Sequence, residues 1–250
     1  MSLHHMLRAA AIKSSGTSDP YFSNVSLLLH GDGTNGSQTI IDSSSNNFSM
    51  SVSGDAQIST SIKKYGTGSL LFDWNGDKVA ANSSTAFSLS GGDFTIESWA
   101  YLTAYAGNYS GGNYGAAVCA SKSSGALTNG FEFDFQGTSN SYTSLAFVAR
   151  AGSSNSVFLN PSFSFALNTW YHVAVVKNGS TFTCYVNGTS IGSTTSSNTW
   201  TNLSDLNVGW SGMTGYEYYF PGYIDDLRIT KGVARYTANF TPPTAAFPDQ

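Results

Sequence analysis

Two β-rich runs, Trp170 to Lys177 and Ser180 to Val186, meet at Asn178-Gly179, and no other feature constrains this chain as tightly. Asn-Gly is the dipeptide that most readily takes the two positive φ angles of a tight hairpin turn. Pairing the runs across it sets Val175 opposite Phe182, Val173 opposite Cys184 and Tyr171 opposite Val186, which makes one face apolar. The other face pairs Val176 with Thr181, Ala174 with Thr183 and His172 with Tyr185, a mixed surface that can meet water or a ligand. A second Asn-Gly, Asn187-Gly188, turns the chain into a third run around Ile191. Such a meander buries its apolar side only against another layer.

The rest of the chain reads the same way. Short β-rich runs begin at Val25–His30 and continue through Thr39–Ile41, Phe48–Val52, Ala56–Ile58 and Ser69–Phe72. A long one, Phe94–Leu102, has bulky residues on both faces and suits the middle of a sheet. Others lie at Ala116–Ala120, Gly130–Phe135, Ser144–Arg150, Ser156–Leu159, Leu206–Gly209 and Tyr223–Ile229. Trp210–Pro221 reads as an aromatic loop, and Val233–Tyr236 as a short turn or 3₁₀ piece. No amphipathic helical period occurs, so about 14 short strands between Gly and Asn turns predict an all-β, two-sheet antiparallel sandwich. Residues 1–20 read as an arm or linker in which His4 and His5 are bystanders, and residues 21–250 as one domain with a Pro-containing tail.

Composition narrows the partners. Of the 250 residues only 10% are charged, against roughly 25% in an average domain. Aromatic residues make up 14%, enough with the aliphatics for a core, so the surface is polar without being ionic. A net charge of −4 with 11 scattered Lys and Arg argues against a nucleic-acid partner. The apolar runs fall well short of the roughly 20 residues of a membrane helix. Met1–Ala11 is too short in apolar residues for a signal-peptide core, so no export signal of the usual kind is expected. Cys119 and Cys184 make no disulfide framework; Cys184 falls on the apolar face as a small hydrophobe, and a bridge between the two stays open.

Several segments, in order, carry a resemblance. Ser26-Leu27-Leu28-Leu29-His30-Gly31-Asp32-Gly33, Tyr65 to Asp73, Phe94 to Trp99, Trp170 to Gly179 and Gly222 to Ile229 together resemble laminin-G-like domains of the concanavalin A-like lectin/glucanase superfamily. The likeness spans about residues 24 to 245 and implies a jelly-roll sandwich. The ending, Thr230 to Tyr236 and Phe240 to Pro243, is similar to a variant common among bacteriophage and marine bacterial proteins. That implies a virion component, with residues 1–20 as attachment arm and route to homo-oligomers.

The same resemblance raises a catalytic question. Glycoside hydrolases of the superfamily carry Glu-x-Asp-x-Glu on one strand, but here the stretch is Glu132-Phe133-Asp134-Phe135-Gln136. A Gln in the third place cannot donate or take the proton that glycosidic cleavage needs, so Glu132 and Asp134 are expected to be polar residues facing away from the core. Gly188-Thr189-Ser190-Ile191-Gly192 matches a serine-hydrolase pattern but follows a hairpin turn instead of leading into a helix. The resemblance further implies a Ca²⁺ ion between Asp32 and Asp225; the alternative is that Asp225 accepts backbone N–H groups and Asp32 makes an Asx turn. Sugar binding asks for aromatic rings beside amides and hydroxyls. Trp74, Tyr105, Tyr109, Tyr114, Trp210, Tyr216 and Tyr218 are the candidates, unless they pack on the sandwich edges. The expected function is a non-catalytic, lectin-like structural or adhesion protein of a virion, recognising surface glycans or a neighbouring virion protein; the alternative is a glycoside hydrolase.

Overall fold

The computed structural model describes residues 18–105, 114–122, 129–152, 154–200, 205–213 and 216–250. Their strands are β1 (Val25–Leu29), β2 (Met50–Ser53), β3 (Gln57–Ser59), β4 (Ser69–Asp73), β5 (Lys78–Ala81), β6 (Phe94–Leu102), β7 (Tyr114–Lys122), β8 (Asn129–Thr138) and β9 (Ser141–Ala151). The second half adds β10 (Ser154–Leu159), β11 (Ser162–Phe165), β12 (Trp170–Asn178), β13 (Thr181–Val186), β14 (Thr189–Thr195), β15 (Leu206–Val208), β16 (Trp210–Met213), β17 (Tyr216–Tyr219) and β18 (Pro221–Lys231). One sheet runs β14-β13-β12-β6-β18-β4-β3, with β1 also on β18; the other runs β10-β9-β8-β7-β15-β5-β2, with β11 also on β9. All pairs are antiparallel. The two-sheet sandwich is as expected. Helical structure among the described residues is confined to two three-residue 3₁₀ turns, Phe22–Asn24 and Thr85–Phe87, and no helix there could cross a membrane.

Alternation along the strands explains the core. Val173, Val175, Phe182, Cys184 and Val186 turn inward into one core with Phe94, Phe131 and Phe147 of other strands and Trp200 of the segment after β14. Phe147 stacks on Phe182 with ring centroids 5.9 Å apart, so the two sheets interlock through rings. Cys119 and Cys184 are both buried and unbridged, and burial pushes both thiols upward.

Four local expectations change. The first hairpin loop is Gly179-Ser180, not Asn178-Gly179, because Asn178 pairs with Thr181. Gly179 has φ +59° and its N–H donates to Asp93 Oδ1 at 2.8 Å, a distant contact that fixes the turn one residue later. The faces survive, because every partner moves by two. Asn187-Gly188 turns where expected, with φ +48° and +75°. Thr39–Ile41 is reduced to one bridge, Ile41 with Ser49. Trp210–Pro221 is a hairpin, β16–β17, instead of a loop.

The fourth change is the mixed face of the meander. Most of it is covered by the C-terminal tail, with only Thr181 and Thr183 left half-buried: Ala174, Val176 and Tyr185 pack against Ala234, Tyr236 and Phe240. Beneath the tail Glu97 accepts from Arg228 Nη2 at 2.8 Å, Arg228 Nε at 3.0 Å and the Tyr236 hydroxyl at 2.7 Å. Arg235 and Arg228 also hold Asp19, at 2.7 and 3.1 Å, and the Asp19 N–H reaches the carbonyl of Gln250. Burial alone would push Glu97 up; Arg228 and His172 outweigh it and hold the carboxyl at about 2. His172 is fully buried with Nε2 3.3 Å from Glu97 Oε2. The acid neighbour that the sequence did not suggest therefore exists, sealed from substrate.

Candidate functional site

The tail covers the meander's part of the first sheet's outer face, while Tyr101, Trp170 and Tyr223 stay half-buried together farther along it. On β8 the rings of Phe131, Phe133 and Phe135 point into the core, so Glu132, Asp134 and Gln136 take the outer face. They face outward from the sheet, but Glu132 and Asp134 do not reach solvent: their exposures are 3% and 0%. The β16–β17 hairpin lies across β7 beside them, and Ser211 Oγ donates to Glu132 Oε2 at 2.9 Å. Gln136 Nε2 donates to Asp134 Oδ2 at 3.2 Å. The third position of the acid motif is thus an amide spent on its neighbour, which is not the geometry of a paired acid and base.

Glycine lets the hairpin sit so close. A Cβ on Gly115 would stand 2.7 Å from the ring of Tyr218, so only glycine admits that ring against β7. Tyr218 is buried there as packing. Trp210, one position along β16 from Ser211, the cross-strand partner of Tyr218, is half-buried with Lys78 Nζ 4.5 Å from its ring centre. Lys78 leaves the turn that carries Trp74, which is 42% exposed with φ +65°. Trp74 and Trp210 are thereby brought to one end of the sandwich. Tyr114 is half-buried at the start of β7, and Tyr105 packs its ring 5.7 Å from Tyr142 at the core margin. Tyr109 and the side chain of Tyr216 lie outside the described residues.

The turn below Trp74 is held by Asp77, buried, which accepts N–H groups from Asp55, Ala56 and Asp73 at 2.8, 3.0 and 2.8 Å. Burial and the nearby Asp73 and Asp55 push its carboxyl up to about 6. Oxygens of these three acids come within 4.8 Å of one another; the backbone donors account for Asp77 as the anchor of the turn.

The candidate metal pair sits elsewhere, below the loop Lys64 to Gly68. Asp225 Oδ2 accepts the N–H groups of Lys64 and Tyr65 at 2.6 and 3.1 Å. Asp32 Oδ1 accepts from the N–H of Thr67, from Thr67 Oγ1 at 2.9 Å and from the N–H of Gly68 at 3.1 Å. Asp225 does not share the side of Leu227 and Ile229, as strict alternation predicts. A bulge between Asp225 and Arg228, with Asp226 at φ +48°, reverses the parity and turns Asp225 outward. Burial, then the charges of Asp226 and Asp32, push Asp225 up to about 7. Asp226 meets His30 Nδ1 at 2.5 Å; burial alone would lower His30, and this carboxylate more than offsets it, raising the imidazole. One oxygen of Asp32 and of Asp225 remains beyond the loop donors, and two such hard oxygens suit Ca²⁺ chemistry while supplying only part of its six to eight ligands.

Comparison with known proteins adds the family. The laminin G-like model described as the concanavalin A-like lectin/glucanases superfamily matches residues 73–235. Among solved structures, the binding domain of Paraclostridial Mosquitocidal Protein 1 superposes with a TM-score of 0.60 at 17% identity, covering 85% of this chain and 50% of that one. The receptor binding domain of botulinum neurotoxin D gives 0.59 at 13%, covering 86% and 51%. Domain 4 of AbnA, a GH43 extracellular arabinanase from Geobacillus stearothermophilus solved with arabinotriose, gives 0.60 at 15%, covering 84% and 94%. The chain thus spans about half the length of the toxin binding-domain structures it matches. At these identities the likeness is one of fold. No curated protein sequence matches the chain.

Proposed function

The chain belongs to the concanavalin A-like lectin/glucanases superfamily, and on that premise we propose that it is a non-catalytic, lectin-like recognition domain for glycans. The observation that carries this reading is the acid strand: Gln136 stands in the third place with its amide on Asp134, and Glu132 is sealed under the hairpin. That arrangement lacks the water-accessible acid and base of glycoside cleavage while leaving hydroxyl-rich and aromatic surface around it. The arabinotriose bound to the AbnA domain and the binding domains among the toxin structures support recognition over turnover. The half-exposed Trp74, Tyr114 and Trp210 are the rings we assign to sugar faces from the earlier set.

The domain's setting is part of the proposal: a structural or adhesion component of a virion, with the residues ahead of Asp19, which is itself built into the charge knot, as the attachment arm through which copies associate. Its support is the ending Thr230 to Pro243 and the low charge of the chain. Ca²⁺ held by Asp32 and Asp225 would neutralise two neighbouring carboxylates; a melting temperature indifferent to chelator and to added Ca²⁺ would remove the ion from the proposal. A glycan array with defined hits is the expected result. An array without hits, together with stoichiometric recovery of the protein in purified particles, would leave a structural role alone. Release of reducing ends from β-glucan, lost in Glu132→Gln, would overturn the non-catalytic reading.

A further inference from the structure

A groove opens on the second sheet two strands from the hairpin. The strand at this edge runs as β10, breaks at Asn160-Pro161 and resumes as β11, and both parts pair with β9. The groove holds about 580 Å³ and is lined by Thr143, Ser144, Asn160, Ser162, Phe163 and Ser164. That is within the ~300–1,000 Å³ of small-ligand clefts. Not one lining side chain is charged, and every one except Phe163 offers a hydroxyl or an amide. Hydroxyls donate and accept alike, which matches a ligand whose own groups do both. An ionic ligand finds no counter-charge in this lining.

Two further observations turn the groove into a candidate site. Val157 and Leu159 point into the core, so Phe158 faces out, 56% exposed. At ~3.3 Å per residue it lies about 7 Å along the strand from Asn160 on the same outward side. Meanwhile Asn160 Nδ2 donates to Gln136 Oε1 at 3.1 Å, and Gln136 in turn donates to Asp134. This relay fixes the Asn160 amide and leaves its buried Oδ1 without a protein donor.

An added protein strand is the rival occupant of a sheet edge, and this edge is defended against one. Pro161 removes an N–H donor, a bulge sits between Asn155 and Val157, and β14 packs on the kink so closely that a Cβ on Gly192 would lie 2.6 Å from Pro161 Cβ. We propose that this groove, with Phe158 on the same outward side, binds a short neutral oligosaccharide, stacking a sugar face on the ring and placing hydroxyls on Asn160 and the serines. The proposal rests on the glycan-recognition reading and gives that reading a location away from Trp74 and Trp210.

The test is a titration of isotope-labelled protein with arabinotriose, cellotriose, mannotriose and sialyllactose, followed by amide shifts. A neutral trisaccharide is expected to move the amides of Ser144, Ser162 and Ser164, with sialyllactose binding no better. Phe158→Ala and Ser162→Ala, both at exposed positions, should weaken binding at least about tenfold with unchanged melting, and Ile41→Ala, exposed and outside the groove, should bind as the parent does. Binding lost in Trp210→Ala but intact in Phe158→Ala and Ser162→Ala overturns the groove and leaves glycan recognition standing. An edge that takes up an extended peptide and ignores all four saccharides overturns the groove in favour of a protein partner. No saccharide bound here or on an array overturns both readings together.

Discussion

The meander's share of the first sheet's outer face is closed by a tail set on a knot of charges, and the second sheet's outer face is covered in part by a hairpin that leaves a groove two strands away. Glu97, Arg228, Asp19 and Arg235 lie buried together under the tail, in a chain with only 10% charged residues. A buried ion pair adds little net stability over apolar packing, but removing one partner strands the other charge. Such a knot therefore fixes one arrangement and resists exchange. A groove lined with hydroxyls and amides can trade water for a ligand's hydroxyls without stripping an ion of its solvent. The contrast separates a face used to hold the molecule together from a face free to recognise something.

The largest test strikes the knot. Glu97→Ala leaves Arg228 buried without its carboxylate, and a loss of about 3–5 kcal/mol is expected from urea unfolding. A loss below about 1 kcal/mol would mean that apolar contacts of Tyr236 and Phe240 hold the tail, and the contrast between the faces would fail. Acid gives a gentler form of the same test. The Glu97 carboxyl is lowered from its ordinary 4.5 to about 2, so its contribution is complete above pH 4.5 and is lost as pH falls toward 2. Over that window the loss is on the order of 3 kcal/mol, and it should vanish from the difference between pH 5 and pH 2 in Glu97→Gln. A variant with the parent's full acid sensitivity would place the titration elsewhere.

How much of this was legible in the sequence depends on range. The core side of the meander, Val173, Val175, Phe182 and Cys184, follows from a period of two and stands even though the turn lies one residue later. The turn itself moved because the Gly179 N–H is taken by Asp93, 86 positions away, which no local signal reports. Arg235 and Asp19 are 216 positions apart, so the closing of the first sheet was hidden for the same reason. At the candidate site the acid motif and its Gln136 could be read directly. The groove could not, because Ser144, Asn160 and Ser162 look like turn and edge residues until β11 folds onto β9. The outward turn of Asp225 is likewise hidden in the sequence, because the bulge at Asp226 breaks strict alternation.

A smaller effect probes how the second face is covered. Gly115→Ala would set a methyl group 2.7 Å from the Tyr218 ring, and overpacking of this kind costs about 1–3 kcal/mol. The expected signature is local: faster amide exchange in β16 and β17 ahead of any loss in β12 or β13. Uniform destabilisation would show instead that the hairpin is as integral as the tail.

The smallest expected effect is the one at Trp74, and its sign matters more than its size. A tryptophan at φ +65° in an exposed turn holds a backbone conformation that L residues disfavour by roughly 1–2 kcal/mol. Trp74→Gly removes that strain and a partly exposed ring together, so stability should stay within about 1 kcal/mol of the parent or rise. Stability that holds or rises would mean the strained ring brings no folding benefit and would point to its use in recognition. Glycan capture that falls in Trp74→Gly while the unfolding midpoint holds or rises would extend recognition from the groove to this end of the sandwich. A large drop in the midpoint would return Trp74 to packing and leave the groove as the face's one recognition surface.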